Sequence, residues 1–137
     1  MADMFATMKV SSAGMRVNSE RINVIAQNVA NADTTPSKPG ETPYTRKTIS
    51  FKNVLDKETG EKLVTVKKVN EDTKSPFIKK YMPGHPAADA DGYVQAPNVN
   101  SLIESMDMKE ATKSYEANMG IFTQTRDMMT KTVDLLR

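Results

Sequence analysis

All seven prolines of this 137-residue chain fall between positions 36 and 97, and none occurs in the 35 residues before or the 40 after. Proline lacks a backbone N–H and collides with the preceding helical turn, so long helices are open only to the two ends. Both ends use that freedom. Met1, Met8, Met15, Ile22 and Val29 recur at an interval of seven, and so do Met108, Tyr115, Phe122, Met129 and Leu136. A sustained interval of seven keeps side chains on one seam of a helix. The pattern predicts a mainly α chain: an N-terminal helix over 1–32, a small β-hairpin and loop insert over 33–97, and a C-terminal helix over 98–137. The two long terminal helices form one coiled-coil pair in this reading.

The first helix carries a second apolar set, Val10, Val17 and Val24, offset by two positions from the first. Two positions turn a helix by ~200°, so apolar residues line opposite faces. A surface helix of a monomer needs one buried stripe; two suit a subunit within a wall of helices. Asp3 is the expected N-cap. The end falls near Asn28–Asp33, where asparagine tolerates the left-handed conformation and Pro36 cannot continue a helix. Ser101 followed by Glu104 fits a capping box for the second helix. Glu110 with Lys113 and Asp127 with Lys131 place opposite charges one turn apart. Gly14 and Gly120, the only glycines in the helical parts, each cost ~1 kcal/mol relative to alanine, which close helix approach would explain.

The middle is polar and lysine-rich. Tyr44–Phe51 and Lys62–Asn70 read as strands joined by the turn Asp56–Gly60, Phe77–Tyr81 adds a possible third, and Pro83–Pro86 and Asp91-Gly92 mark turns. A segment of this size buries only a thin core. Nine of the ten methionines lie in the terminal segments, where helical spacing marks packing rather than a cofactor box. Packing between subunits is favoured over packing within one, because of the two-faced first helix and the thin middle.

Several functions lose support. There is no cysteine, which removes disulfides and Cys-based zinc sites. His85 is the only histidine, and Asp89 and Asp91 beside it fall short of a calcium loop. Ser11-Ser12 and Thr34-Thr35 have no nearby base, and no glycine-rich phosphate loop occurs. The net charge of +2 is dispersed, with Lys79-Lys80 beside Tyr81 as the nearest thing to a nucleic-acid patch. No run approaches a membrane span, and the start lacks the pattern of a cleaved signal peptide. No cofactor, nucleic-acid partner or membrane insertion is expected, and if the chain leaves the cytoplasm it does so by a route that does not use a classical signal.

Ser11-Ser12-Ala13-Gly14-Met15 and Asn23 through Thr34, with its Asn28-x-x-Asn31 helix end, resemble the bacterial flagellar basal-body rod and hook proteins. Asp33-Thr34-Thr35, Gly40, Pro43-Tyr44, Arg46-Lys47, Tyr81–Pro86, Gly92-Tyr93-Val94 and Pro97–Asn100 resemble the proximal-rod type in particular. Glu104, Met106-Asp107-Met108, Ala111, Tyr115–Asn118 and Met128 resemble the shared tail helix. Lys113 departs from the pattern, where the family carries arginine, and Lys52–Ser75 is the least similar stretch.

The resemblance implies a non-enzymatic subunit of the axial rod that transmits torque from motor to hook. It implies export through the flagellar type III apparatus without signal cleavage, and assembly in the periplasm. The implied partners are copies of itself, other rod proteins, and rod-base, ring and export-gate components. The candidate assembly interface on the first helix is Met8, Val10, Met15, Val17, Ile22, Val24, Ile25, Asn28, Val29 and Asn31. On the second it is Met108, Ala111, Tyr115, Asn118, Met119, Phe122, Met129, Val133 and Leu136. Two other readings stand beside this one: a secreted helical adaptor clasping one partner in a closed complex, and an enzyme or metal protein using His85.

Overall fold

Six elements follow one another in the computed structural model: α1 (Ala2–Ala30), β1 (Lys47–Leu55), β2 (Lys62–Glu71), β3 (Ile78–Tyr81), β4 (Tyr93–Ala96) and α2 (Ser101–Leu135). The structure describes residues 2–136, with the side chain of Ala2 excepted, so Met1 of the first stripe and the Arg137 end of the expected second helix lie outside the described residues. Both terminal helices are present. The mainly α expectation is corrected: helices take 47% of the chain and strands 20%, arranged as two small antiparallel sheets. The middle is therefore more than a hairpin with loops. β1 pairs with β2, and β3 pairs with β4 in the register Ile78↔Ala96 to Tyr81↔Tyr93.

β4 is the strand that sequence reasoning missed. Its four residues alternate, with Tyr93 and Gln95 exposed and Val94 and Ala96 buried. A period of two over so few residues is a weak signal next to Gly92 and Pro97. Gly92 has φ 80°, and a Cβ there would lie 3.0 Å from the Tyr81 ring and 3.1 Å from Pro83, so the turn before β4 requires glycine.

Helix ends also differ in detail. α1 ends without a left-handed residue; among the described residues only glycines have positive φ. The last turn instead tightens, with Ala32 N–H donating to Val29 C=O and Thr34 N–H to Asn31 C=O. The cap of α2 is Asn100 rather than Ser101: its Oδ1 accepts from the N–H groups of Leu102 (3.0 Å) and Ile103 (3.3 Å). Asp3 lies inside the first turn of α1 rather than capping it.

The chain divides into two compact units that cut across the three expected segments. The first comprises Met1–Ile22, Ile49–Lys68 and Lys109–Arg137; the second comprises Asn23–Thr48 and Val69–Met108. In the first, Ser11, Ala13 and Val17 of α1 are buried with Ala111 and Thr125 of α2. The second holds the larger set, including Val24, Ile25, Asn28, Ala32, Val94, Ala96, Val99 and Glu104.

Candidate assembly surfaces

In the second unit a buried polar cluster ties the start of α2 to the end of α1 and to the segment entering β1. Glu104 and Asn28 are both 1% exposed. Asn28 Nδ2 donates to Glu104 Oε2 at 3.0 Å and to Lys47 C=O at 2.8 Å, while its Oδ1 accepts from Tyr44 OH and Lys47 N–H, both at 2.9 Å. Arg46 Nε donates to the other oxygen of Glu104. Every polar atom of the Asn28 amide thus has a partner, which removes the cost of burying it. Asn98 acts similarly one layer away: its Oδ1 accepts from Arg46 N–H at 2.8 Å, and its Nδ2 donates to Asp72 C=O and Ser75 C=O. Burial, and then the nearby Glu104 and Glu71 carboxylates, raise the Tyr44 phenol above its ordinary value.

In the first unit the two helices run antiparallel, with Asn118 against Gly14 and Arg21 Nη2 reaching Glu110 at 3.3 Å. The expected pairs within α2 are replaced, because Glu110 turns to Arg21 and Asp127 to its neighbour Arg126 at 3.0 Å. A Cβ on Gly14 would lie 2.8–3.0 Å from the Asn118 amide, so close approach accounts for this glycine. Gly120 faces open space.

The most buried register of α2 is not the expected apolar stripe. Glu104, Ala111, Asn118, Thr125 and Thr132 also repeat every seven residues, and Ala111 and Thr125 are buried. Polar side chains are admitted because several donate back along their own helix: Asn118 Nδ2 to Ser114 C=O, Thr125 Oγ1 to Ile121 C=O and Thr132 Oγ1 to Met128 C=O. Searching for apolar repeats cannot find such a seam.

The candidate residues fall into three groups. Val17, Val24, Ile25, Asn28 and Ala111 are buried within the chain itself. Met8, Met15, Ile22, Asn31, Met108, Tyr115, Asn118, Phe122 and Met129 are half-buried. Val10, Val29, Met119, Val133 and Leu136 are exposed. Exposed apolar residues outside both stripes were missed: Phe5, Leu102, Ile103, Met106 and Leu135 on the helices, and Phe51, Val54 and Leu55 on β1. Leu102, Ile103 and Met106 follow directly on the Asn100 cap, and a one-turn cluster of this kind is their only sequence signal.

His85 is taken up by hydrogen bonds within the fold. Its Nδ1 accepts from Ala87 N–H at 3.1 Å, which leaves the proton on Nε2 to be donated to Thr35 Oγ1 at 3.1 Å. Among the described residues no group of three or more His, Asp or Glu side chains is placed to hold a metal ion, and no helix is long and apolar enough to cross a membrane.

Residues 8–36 match the family described as "Flagella basal body rod protein", and residues 90–135 match "Flagellar basal body rod FlgEFG protein C-terminal". The chain is 44% identical over 137 residues to the flagellar basal-body rod protein FlgC of Agrobacterium fabrum, spanning 100% of this chain and 98% of that one. It is 36% identical over 146 residues to FlgC of Bacillus subtilis, covering 96% and 97% of the two chains. With FlgC of Salmonella typhimurium the identity is 35% over 127 residues and 92% of each.

Proposed function

The chain belongs to the FlgC family of flagellar basal-body rod proteins, structural subunits of the basal body, and from that membership we propose that it assembles through its terminal helices. The contacts build the axial tube that carries torque from motor to hook. The observation that supports this reading is the apolar surface left open on α1 and α2. Leu102 is 71% exposed, Met106 65% and Leu136 80%. Leu102, Ile103 and Met106 are exposed side by side on the first turns of α2, and apolar residues exposed together rather than singly mark interaction sites.

The subunit is exported with its N-terminus intact and meets copies of itself, other rod proteins and components that join the rod to ring and export gate. Val29, Met119, Val133 and Leu136 make contacts between subunits, joined by the half-buried Met8, Met15, Phe122 and Met129. Val17, Val24, Ile25, Asn28 and Ala111 shape the subunit that presents them. Repeated heterologous contacts give an open helical tube, whereas a clasping adaptor would stop at a fixed stoichiometry.

Subunit-resolved imaging of isolated basal bodies, with mass spectrometry of the extracted chain, tests the reading. The expected result is terminal helices packed in the rod wall and an N-terminus without a missing leader peptide. Helices left in solvent while the middle makes the contacts would overturn it, as would a closed complex of fixed size.

A further inference from the structure

In the connection between β3 and β4, the N–H groups of Met82, His85, Ala88, Asp89 and Gly92 donate to backbone carbonyls at 2.9–3.0 Å. Ala87 is different. Its N–H has no backbone acceptor among the described residues and donates instead to Nδ1 of the His85 ring at 3.1 Å. Ala87 is 7% exposed, so water has little access to take the place of that acceptor. A buried donor therefore depends on one lone pair of a titratable side chain.

A neutral imidazole accepts at one nitrogen and donates at the other. With Nδ1 occupied by the Ala87 N–H, the ring proton sits on Nε2 and is donated to Thr35 Oγ1 at 3.1 Å. Thr35 lies in the loop that follows α1, 50 positions earlier, and it and His85 are both half-buried. The ring thus fastens that loop to the β3–β4 connection within the second unit. A second proton has one place to go, Nδ1, where it would face the Ala87 N–H donor against donor. The charged ring must then turn or the chain must shift, and either leaves the Ala87 N–H buried without an acceptor. Stranding such a group costs more than an ordinary hydrogen bond contributes.

The charged and titratable groups on the flanking segments are otherwise engaged or point to other partners. In the loop after α1, Asp33 is paired with Lys80 of β3 at 3.0 Å, and Glu41 Oε2 accepts from the N–H groups of Ser37 and Lys38. In the connection, Asp89 Oδ1 accepts from the N–H groups of Asp91 and Tyr93. The Tyr81 and Tyr93 rings pack edge to face on each other. Among the described residues the ring bonds only to Thr35 and Ala87, so no carboxylate is in place to accept from a protonated Nδ1.

We propose that His85 is an acid-released fastening: neutral, it ties the loop after α1 to the β3–β4 connection, and protonated at Nδ1 it lets both go. The bonds from His85 N–H to Met82 C=O and from Ala88 N–H to His85 C=O do not involve the ring, so the backbone turn stays while Ala87 and Thr35 are released. The fastening lies within one copy, and its failure leaves the rod-subunit reading as it stands.

NMR of the full chain, labelled with nitrogen-15 and taken from about pH 8 to about pH 5, covers the range in which imidazole ordinarily changes charge. At the upper end the ring nitrogens should show a bare Nδ1 and a protonated Nε2. As the ring charges, the Ala87 and Thr35 amide resonances should move with the same midpoint. Hydrogen-exchange protection at Ala87, relative to Val94 in β4, should fall about fivefold. His85→Asn places an oxygen able to accept from the N–H two residues on and does not titrate there, so Ala87 should hold its resonance and protection across the range. Thr35→Val should leave the Ala87 response in place and abolish the one at residue 35. A ring proton on Nδ1 at the upper end overturns the proposal, as does a ring that keeps one charge state throughout. So does an Ala87 amide that stays still while the ring titrates, or that moves equally in His85→Asn. A Thr35 amide indifferent to the ring's charge would also overturn it, since nothing would then be fastened.

Discussion

Asn28 and Glu104 lie 76 positions apart, one near the end of α1 and the other in the first turns of α2, and are joined by a buried hydrogen bond of 3.0 Å. The Asn28 amide and the Glu104 carboxylate have complementary hydrogen-bonding needs, and the Arg46 guanidinium pairs with the other carboxylate oxygen. The same Asn28 holds the backbone entering β1. One side chain thus sets how α1, α2 and the first strand meet in the second unit.

Arg46→Ala should be the most damaging substitution in this cluster. It strands the Glu104 carboxylate, which is 1% exposed on its side chain, while Arg46 itself is 28% exposed. Removing one partner of a buried pair costs about 3–5 kcal/mol, and the partial exposure of Arg46 places the loss near the lower figure. Glu104→Gln keeps the shape and removes the charge, so its cost should be smaller. Denaturant unfolding of the two purified variants measures the order; equal losses would show that the ion pair contributes nothing beyond packing.

The sequence made the helices legible because proline and the interval of seven both speak about long helices. It also yielded the β1–β2 hairpin, through the valines of β2 and the turn at Asp56–Gly60. The Glu104 side chain was not legible, because two adjacent residues compete as its cap. With Ser101 as N-cap, Glu104 would be the third helical residue and reach back outside the helix. With Asn100 as N-cap, Glu104 is turned by about 100° and enters the core. One position separates a surface residue from a buried one. The α2 seam stayed hidden for a different reason, since Ala111, Asn118 and Thr125 keep the interval without apolar side chains.

The two helical glycines should respond to alanine in different ways. Gly120 has open space around it, so Gly120→Ala should stabilise the isolated subunit by up to ~1 kcal/mol through helix propensity alone. At Gly14 the new methyl meets the Asn118 amide, which must move and release its bond to Ser114 C=O. Gly14→Ala should gain less or lose stability, and Gly14→Ala with Asn118→Ala should recover the gain. Thermal midpoints of the four chains decide this. An equal rise for both single variants would mean that the helices are not in this register.

Acid should weaken both the hairpin turn and the turn before β3. Asp56 is held below the usual carboxylate range by the Glu58 N–H and then by Lys9. Asp72 is held there by the Ser75 hydroxyl, the Ser75 N–H and the Lys74 N–H. Both groups bind protons more readily when unfolded, so their contribution is present above about pH 4 and is lost as pH falls below it. Lys9 is raised, first by Glu58 and then by Asp56, so its contribution holds below the ordinary lysine value and is lost at higher pH. Asp56→Asn with Asp72→Asn should flatten the acid limb of a stability profile. An unchanged limb would assign the acid loss to other carboxylates.

Hydrogen exchange on the free subunit should be slowest in the second unit. Val94 is 0% exposed, Ala96 1% and Asn28 1%, whereas Val64 and Val66 are only half-buried. Amides of Val94, Ala96 and residues 24–28 should outlast those near Val64, and the end of α2 should exchange first. Slowest exchange in the hairpin would contradict this distribution of the core.

Phe122 and His85 separate assembly from local folding. Phe122 is half-buried in the chain alone, on the stripe that includes Tyr115 and Met129. If a neighbouring copy completes its burial, Phe122→Ala costs a total of about 3–5 kcal/mol, part of it appearing only on assembly. Every subunit of a tube repeats that part, so rods should fail although the chain is made and exported. His85→Ala loses the bonds to Thr35 and Ala87, each worth about 1 kcal/mol net, and weakens the loop between β3 and β4 without touching a helix. Motility should therefore survive His85→Ala and be lost in Phe122→Ala, read in swimming assays with immunoblots showing equal amounts of both chains. The reverse pattern would move the decisive contacts from the terminal helices to the middle of the chain.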